Sequence, residues 1–253
     1  MSGTIRTKGG RGRLGSVLSG LAVAVGCVLF LGGFVWGAVL YRPFTVPTDS
    51  MTPTLDVNSR VLAERVDGAE VKRGDVVVFD DPLWSSSPMV KRVVAVGGDT
   101  VACCDAQGRL TVNGRAVDEP YLRPGIGGLT LASGQEFSVT VPEDSLFLLG
   151  DDRHTSLDSR THLEEAGHGS VPRSTVVARV DAVVWPAKGL LDRPTGFAGL
   201  PGGVSRPGPF TTLLTVIVAG GTLVFVGAAY GPVARLLNRR PGGRRTGARE
   251  GAG

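Results

Sequence analysis

"MVKRVVAVGGDTV", Met89 to Val101, reads as a strand that runs into a Gly-Gly-Asp turn. Its valines favour an extended backbone, and glycine with aspartate punctuates its end. Side chains alternate along a strand, so Met89, Lys91, Val93 and Ala95 share one face and Arg92 takes the other. Lys91 then stands among apolar neighbours, where lysine is rarely found without a reason. Desolvation disfavours its ammonium form and brings its pKa toward the range where lysine serves as a base at neutral pH. The alternative is an edge position from which the ammonium reaches water along its own stem.

Similar runs lie to either side. "RVLAERV", "RGDVVVF", "RLTVNGRAV", "EFSVTVPEDSLFLLG" and "STVVARVDAVVWP" are short, rich in Val, Leu, Phe and Thr, and bounded by Gly, Asp, Asn and Pro. This spacing predicts an all-β domain, a folded sheet or barrel-like arrangement. Val112 to Arg115, "VNGR", is a hairpin turn signal, because Asn-Gly accepts the positive φ of a type I′ turn. "RGDVVVF", Arg73 to Phe79, offers no chemistry and reads as core.

Two apolar runs flank this region. No charged residue occurs from Leu14 to Tyr41 or from Pro207 to Ala234, and each run exceeds the roughly 20 residues needed to cross a bilayer. The first is too long for a cleavable signal h-region of about 7–15 residues. The expected organisation is a basic cytoplasmic tail (1–13), a transmembrane anchor (14–41), an external domain (42–188), a Gly/Pro linker (189–209), a second transmembrane helix (210–234) and a basic disordered tail (235–253).

The formal charge of +4 conceals an uneven distribution. Residues 1–41 carry four basic and no acidic side chains, and residues 235–253 carry six basic and one acidic. Residues 42–206 carry 17 basic and 22 acidic. The positive excess lies wholly in the tails, which argues against nucleic acid as a partner. It places both termini on the cytoplasmic side, against anionic lipid, and the β-domain outside. Cys103 and Cys104 are adjacent, and bridging neighbours is strained, so two small unbridged side chains at a strand end are expected. They form no ligand pattern with His154, His162 and His168, and no metal or cofactor is expected.

Three stretches carry chemistry. In "FTVPTDSMTPTL", Phe44 to Leu55, Pro47 and Pro53 stiffen the chain around Ser50, and Thr48 adds a hydroxyl. A stiff segment holds its backbone N–H groups in place, as an oxyanion hole requires. In the Met89 segment, Lys91 is the candidate base. In "LLGDDRHTSLDSR", Leu148 to Arg160, an apolar strand ends in a polar loop. There Asp158 and Arg160 suit a charge-assisted pair, and Ser156 presents a hydroxyl. No histidine stands near a Ser/Asp pairing, and no G-x-S-x-G elbow occurs. Ser50 and Lys91 are therefore the natural nucleophile and base, a known variant of triad logic.

In this order, "RPFTVPTDSMTPTL", "RGDVVVF", "VKRVVAVGGDTV" and "GDDRHTSLDSR" resemble the segments of bacterial type I signal peptidases (leader peptidases). The resemblance runs from about Arg42 to Pro186, and two anchors are similar to the actinobacterial branch. It implies a membrane-bound serine endopeptidase that removes signal peptides from secreted preproteins after small residues at −1 and −3, an A-x-A type of site. It implies Ser50 as nucleophile, Lys91 as general base, and Thr48 with the Ser50 amide as oxyanion hole. Ser156 would orient the lysine, and Asp158 and Arg160 would support it. Shallow pockets would draw on Phe44, Val46, Pro47, Met51, Leu55, Met89 and Val90. Preproteins, membrane lipids and the secretion translocon are the implied partners, in a bacterial cell membrane.

Two departures stand out: Asp49 where many members carry glycine, and Asp152 where asparagine is frequent. Asp49 is expected to raise the Lys91 pKa unless it turns outward, and Asp152 to pair with Arg153. The alternatives are a dedicated processing peptidase for a narrow substrate set and a non-catalytic membrane scaffold. The scaffold predicts loss of the serine or the lysine, and both are present.

Overall fold

The computed structural model describes residues 10–123 and 131–237; the outer parts of the two basic tails expected from the sequence lie outside these residues. Two helices, α1 (Gly10–Leu40) and α2 (Phe210–Leu237), form most of one compact unit, and Ala38–Phe210 form another. Both helices are long and apolar enough to cross a membrane, over Gly15–Leu40 and Phe210–Val233. They overrun the apolar stretches at Gly10 and at Leu237, because the backbone ladder needs no apolar side chain to continue. Tyr41, expected in the first anchor, instead opens a strand.

Within the helical unit, α1 and α2 pack antiparallel through small residues. Ser19 Oγ donates to the Gly227 carbonyl at 2.8 Å. A Cβ on Gly26 would fall 2.8 Å from the Gly220 carbonyl oxygen, so only glycine allows this backbone approach. Close packing of this kind substitutes for the hydrophobic drive that lipid does not supply. Val17, Leu21, Val28, Leu214, Val218 and Phe225 point outward and are exposed.

The second unit is all-β and entirely antiparallel. One sheet has the order β1 (Tyr41–Thr45), β2 (Arg60–Glu64), β11 (Val176–Trp185), β3 (Val76–Phe79), β4 (Met89–Val96), β9 (Ser145–Leu149), β10 (Ser170–Pro172). A short β12 (Gly189–Leu190) pairs with β11. Pro43 sits in β1, an edge strand, where its missing N–H interrupts no central ladder. The smaller sheet runs β7 (Arg115–Ala116), β6 (Leu110–Val112), β5 (Thr100–Cys103), β8 (Phe137–Thr140). Its β6–β7 turn has Asn113 at φ 53° and Gly114 at φ 74°, the positive pair that Asn-Gly was expected to adopt.

Strand β4 is central in the large sheet and buried for most of its length. Val76 to Phe79 are buried throughout, as the core reading of "RGDVVVF" requires. Cys103 and Cys104 are joined by a disulfide at the end of β5, contrary to the unbridged pair expected. The strand ends at Cys103, so the Cys104 side chain is released from the pleat alternation that would turn it to the opposite face.

Candidate active site

Ser50 lies in the tight turns that follow β1. The Thr52 N–H donates to the Asp49 carbonyl at 2.8 Å and the Leu55 N–H to the Met51 carbonyl at 2.9 Å. Thr52 Oγ1 also donates to the Asp49 carbonyl, at 2.6 Å. These bonds fold the segment so that Ser50 turns inward while Pro47, Thr48 and Asp49 stay exposed. Ser50 is 7% exposed. From the facing strand, Lys91 Nζ reaches to 2.7 Å from Ser50 Oγ. Thr48 Oγ1 lies 3.2 Å from the same oxygen.

Lys91 is 3% exposed. Burial brings its pKa from 10.5 down to about 8, against the opposing charges of Asp158 and Asp151. The Arg160 charge also lowers it, and Asp49, turned outward, raises it least among the named groups. The departure at Asp49 therefore leaves the lysine depressed.

The third segment begins at Gly150, directly after β9. The Asp152 N–H donates to the Ser50 carbonyl at 3.0 Å, tying this loop to the Ser50 turn. A Cβ on Gly150 would strike the Ser156 side chain and lie 2.5 Å from the Ser50 carbonyl oxygen. Glycine is thus what lets the two loops meet. Asp158 accepts from the Gly150 N–H at 2.9 Å and from Arg160 Nε and Nη2 at 2.9 and 2.8 Å. Burial pushes the Asp158 carboxyl up, but Arg160 and the Gly150 N–H outweigh it and hold the group below the usual carboxylate range. Ser156 is buried, and its Oγ has no hydrogen-bond partner among the described residues.

The residues expected to form pockets divide. Val46, Met51 and Leu55 are fully enclosed in one core cluster with Val90, and Phe44 packs partly against it. Met89 packs partly against a different cluster, with Val93 and Phe79. Adjacent strand residues face opposite ways, so Met89 and Val90 cannot line one wall. Phe44, Pro47 and Met89 retain exposed surface, while the buried members back the Ser50 turn.

The family model described as "Signal peptidase, peptidase S26" matches residues 17–185, more than half of the chain. The chain belongs to the signal peptidase family. It is 33% identical over 199 aligned positions to the probable signal peptidase I of Mycobacterium leprae, covering 57% of this chain and 68% of that protein. To signal peptidase I of Mycobacterium tuberculosis it is 32% identical, covering 57% and 65%. To signal peptidase I U of Bacillus subtilis it is 33% identical, covering 58% and 78%. This signal peptidase is a membrane-anchored serine endopeptidase that acts on signal-peptide-bearing preproteins.

Two features of this signal peptidase's site were not read from its sequence. Arg92, 1% exposed, forms a two-pronged pair with Asp151 at 2.8 and 2.6 Å, and its guanidinium stacks 3.9 Å from the centre of the Tyr121 ring. Arg153 pairs with Glu119, not with Asp152 as expected. Asp152 Oδ1 instead accepts from the His154 and Thr155 N–H groups at 3.2 and 3.3 Å. A side chain two bonds from its own backbone satisfies those near amides more readily than its neighbour's long guanidinium. The alternation that placed Lys91 inward also placed Arg92 in the opposite interior, which was a signal for a buried carboxylate.

Proposed function

We propose that Ser50 and Lys91 are the nucleophile and general base of signal-peptide cleavage. The single observation that carries this is the 2.7 Å approach of Lys91 Nζ to Ser50 Oγ at a buried site. At a pKa of about 8, a workable fraction of Lys91 is neutral near pH 7. Its ammonium form donates to Ser50 Oγ. Its neutral form accepts the Ser50 proton along the same line.

Ser50 Oγ attacks the carbonyl carbon of the −1 residue, and its proton passes to Lys91. The resulting oxyanion is held by the Ser50 N–H and the Thr48 hydroxyl, whose oxygen lies 3.2 Å from Ser50 Oγ. The intermediate collapses, the C–N bond breaks, and Lys91 returns its proton to the leaving amine. Water then attacks the acyl-enzyme, with Lys91 taking its proton. Carboxylic acid departs and Ser50 is restored. Asp158 and Arg160 hold the loop from Gly150 to Ser156. The buried Ser156 hydroxyl is the group available to orient Lys91.

Substrate residues at −1 and −3 are small because the surface near Ser50 is backed by the filled cluster of Val46, Met51, Leu55 and Val90. Phe44, Pro47 and Met89 supply the remaining contact. The basic tails support a cytoplasmic position for both termini, with residues 42–188 outside, among lipid and beside the translocon.

The test is cleavage of a precursor bearing an A-x-A site by the membrane-embedded protein, beside Ser50→Ala and Lys91→Ala. The parent is expected to cut after the second alanine, with both variants silent. A silent parent, or activity surviving in Ser50→Ala, overturns the assignment.

A further inference from the structure

We infer that Glu119 is a positioning residue for catalysis, acting through Arg153 to hold the loop that sets Ser50. The inference rests on the Ser50–Lys91 reading above. Glu119 follows β7 of the smaller sheet, and its side chain is 4% exposed, as deeply buried as that of Arg153 at 3%. Its two carboxylate oxygens accept from Arg153 Nη1 at 3.1 Å and Nη2 at 2.5 Å. Arg153 spends its remaining donors on two carbonyls, Gly150 at 3.0 Å and Ala132 at 2.8 Å. The Arg153 carbonyl in turn accepts from Arg160 Nη1 at 2.8 Å.

Each contact leads to the reacting groups. Gly150 is pressed against the Ser50 carbonyl, and the Asp152 N–H between them bonds that carbonyl. Arg160 is the partner of Asp158. Glu119 therefore fixes an arginine whose side chain grips the Gly150 end of the loop and whose own carbonyl is held by Arg160. It also reaches the other side of the site. Tyr121 donates its hydroxyl to Glu119 Oε1 at 2.5 Å, and the Tyr121 ring covers Arg92, the residue after Lys91. A single carboxylate from the loop after β7 thus braces both the loop behind Ser50 and the strand that carries Lys91.

A guanidinium aligned by a two-pronged carboxylate has its direction fixed as well as its charge neutralised. In Glu119→Gln the amide offers one acceptor and two donors, so Arg153 loses one of its two bonds and its charge is unbalanced. A displacement of the Gly150 loop by a fraction of an ångström moves the Ser50 carbonyl, and errors near 1 Å can cost about 10²-fold in rate.

The experiment measures kcat, KM and the pH profile for full-length protein in detergent micelles, with folded fraction from circular dichroism. Glu119→Gln is expected to lower kcat by about 10- to 100-fold per folded enzyme, with KM little changed. Its acid limb should move to lower pH, because the unbalanced Arg153 charge disfavours the Lys91 ammonium. Glu119→Asp should recover part of the rate. Parental kcat and an unmoved limb in Glu119→Gln, whatever its melting temperature, overturn the inference. Should Glu119→Gln not fold, parental kcat in Glu119→Asp does the same. Ser50→Ala is assayed alongside: activity there would sink the dyad, whereas a silent Ser50→Ala with a fully active Glu119→Gln sinks only the role of Glu119.

Discussion

Replacing Lys91 with methionine should abolish cleavage and, at neutral pH, make the protein more stable. Methionine keeps the stem's volume and removes the buried ammonium. The lysine pKa falls from 10.5 in the open chain to about 8 in the fold. A lowered folded-state pKa on a base means that the unfolded chain binds more protons between those values. The penalty is therefore full below pH 8 and disappears as pH rises from 8 toward 10.5. At pH 7 it amounts to about 3 kcal/mol, from 2.5 units at about 1.36 kcal/mol each. At pH 10 less than about 1 kcal/mol remains. Against this stands the lost hydrogen bond to Ser50, worth about 1 kcal/mol. The net gain is about 2 kcal/mol at pH 7, or a rise of about 4–8 °C in melting temperature, and close to zero at pH 10. Tryptophan fluorescence melts of both proteins in the same micelles, at pH 7 and pH 10, measure the difference. Other groups that titrate in this range cancel between the two. A Lys91→Met protein less stable than the parent at pH 7, or a gain that does not shrink toward pH 10, would refute burial as the origin of the lysine's reactivity.

Three further outcomes follow from the same contacts. In the parent, log kcat/KM should climb with unit slope and level near pH 8; Asp158→Asn removes the largest charge that raises the lysine pKa and leaves that of Arg160, so the rate profile's limb should move below 8. Gly150→Ala forces a methyl against Ser156 and the Ser50 carbonyl and should cost about 1–3 kcal/mol in a thermal melt, together with at least a tenfold fall in kcat. Arg92→Met leaves Asp151 buried and unpaired and should destabilise by about 3–5 kcal/mol, whereas the double change with Asp151→Leu should recover most of that loss in the same melt.

What could be read from the residues alone was local. A lysine in a valine strand, a serine between prolines and an Asn-Gly turn each impose their consequence within a few positions, and the all-β unit follows from such signals. The partner of Arg153 is 34 residues away, in the loop that follows β7 of the other sheet, and no spacing rule connects the two. The neighbouring Asp152 looked like its partner only because it was close in sequence. The pocket residues failed in part for a related reason. Val46, Met51 and Leu55 flank the nucleophile along the chain, but the tight turns that expose Thr48 and Asp49 bury these three. Proximity in sequence to a reactive group says little about which side of it a side chain will face.

The ion pairs behind the site explain why burial dominates the tuning of Lys91. Three arginines lie around it, and each is matched by a carboxylate: Arg92 by Asp151, Arg153 by Glu119, Arg160 by Asp158. Lys91 forms no salt bridge among the described residues. An unpaired carboxylate here would stabilise the ammonium and carry the lysine back toward its open-chain value. An unpaired arginine would depress it further and leave a poor proton acceptor. Pairwise neutralisation leaves desolvation as the largest influence and holds the base near 8. Buried pairs of this kind contribute little net stability, since desolvating both ions offsets much of their attraction. Their retention around one lysine is better accounted for by the proton that, in the proposed mechanism, this lysine takes from Ser50 and gives to the leaving amine.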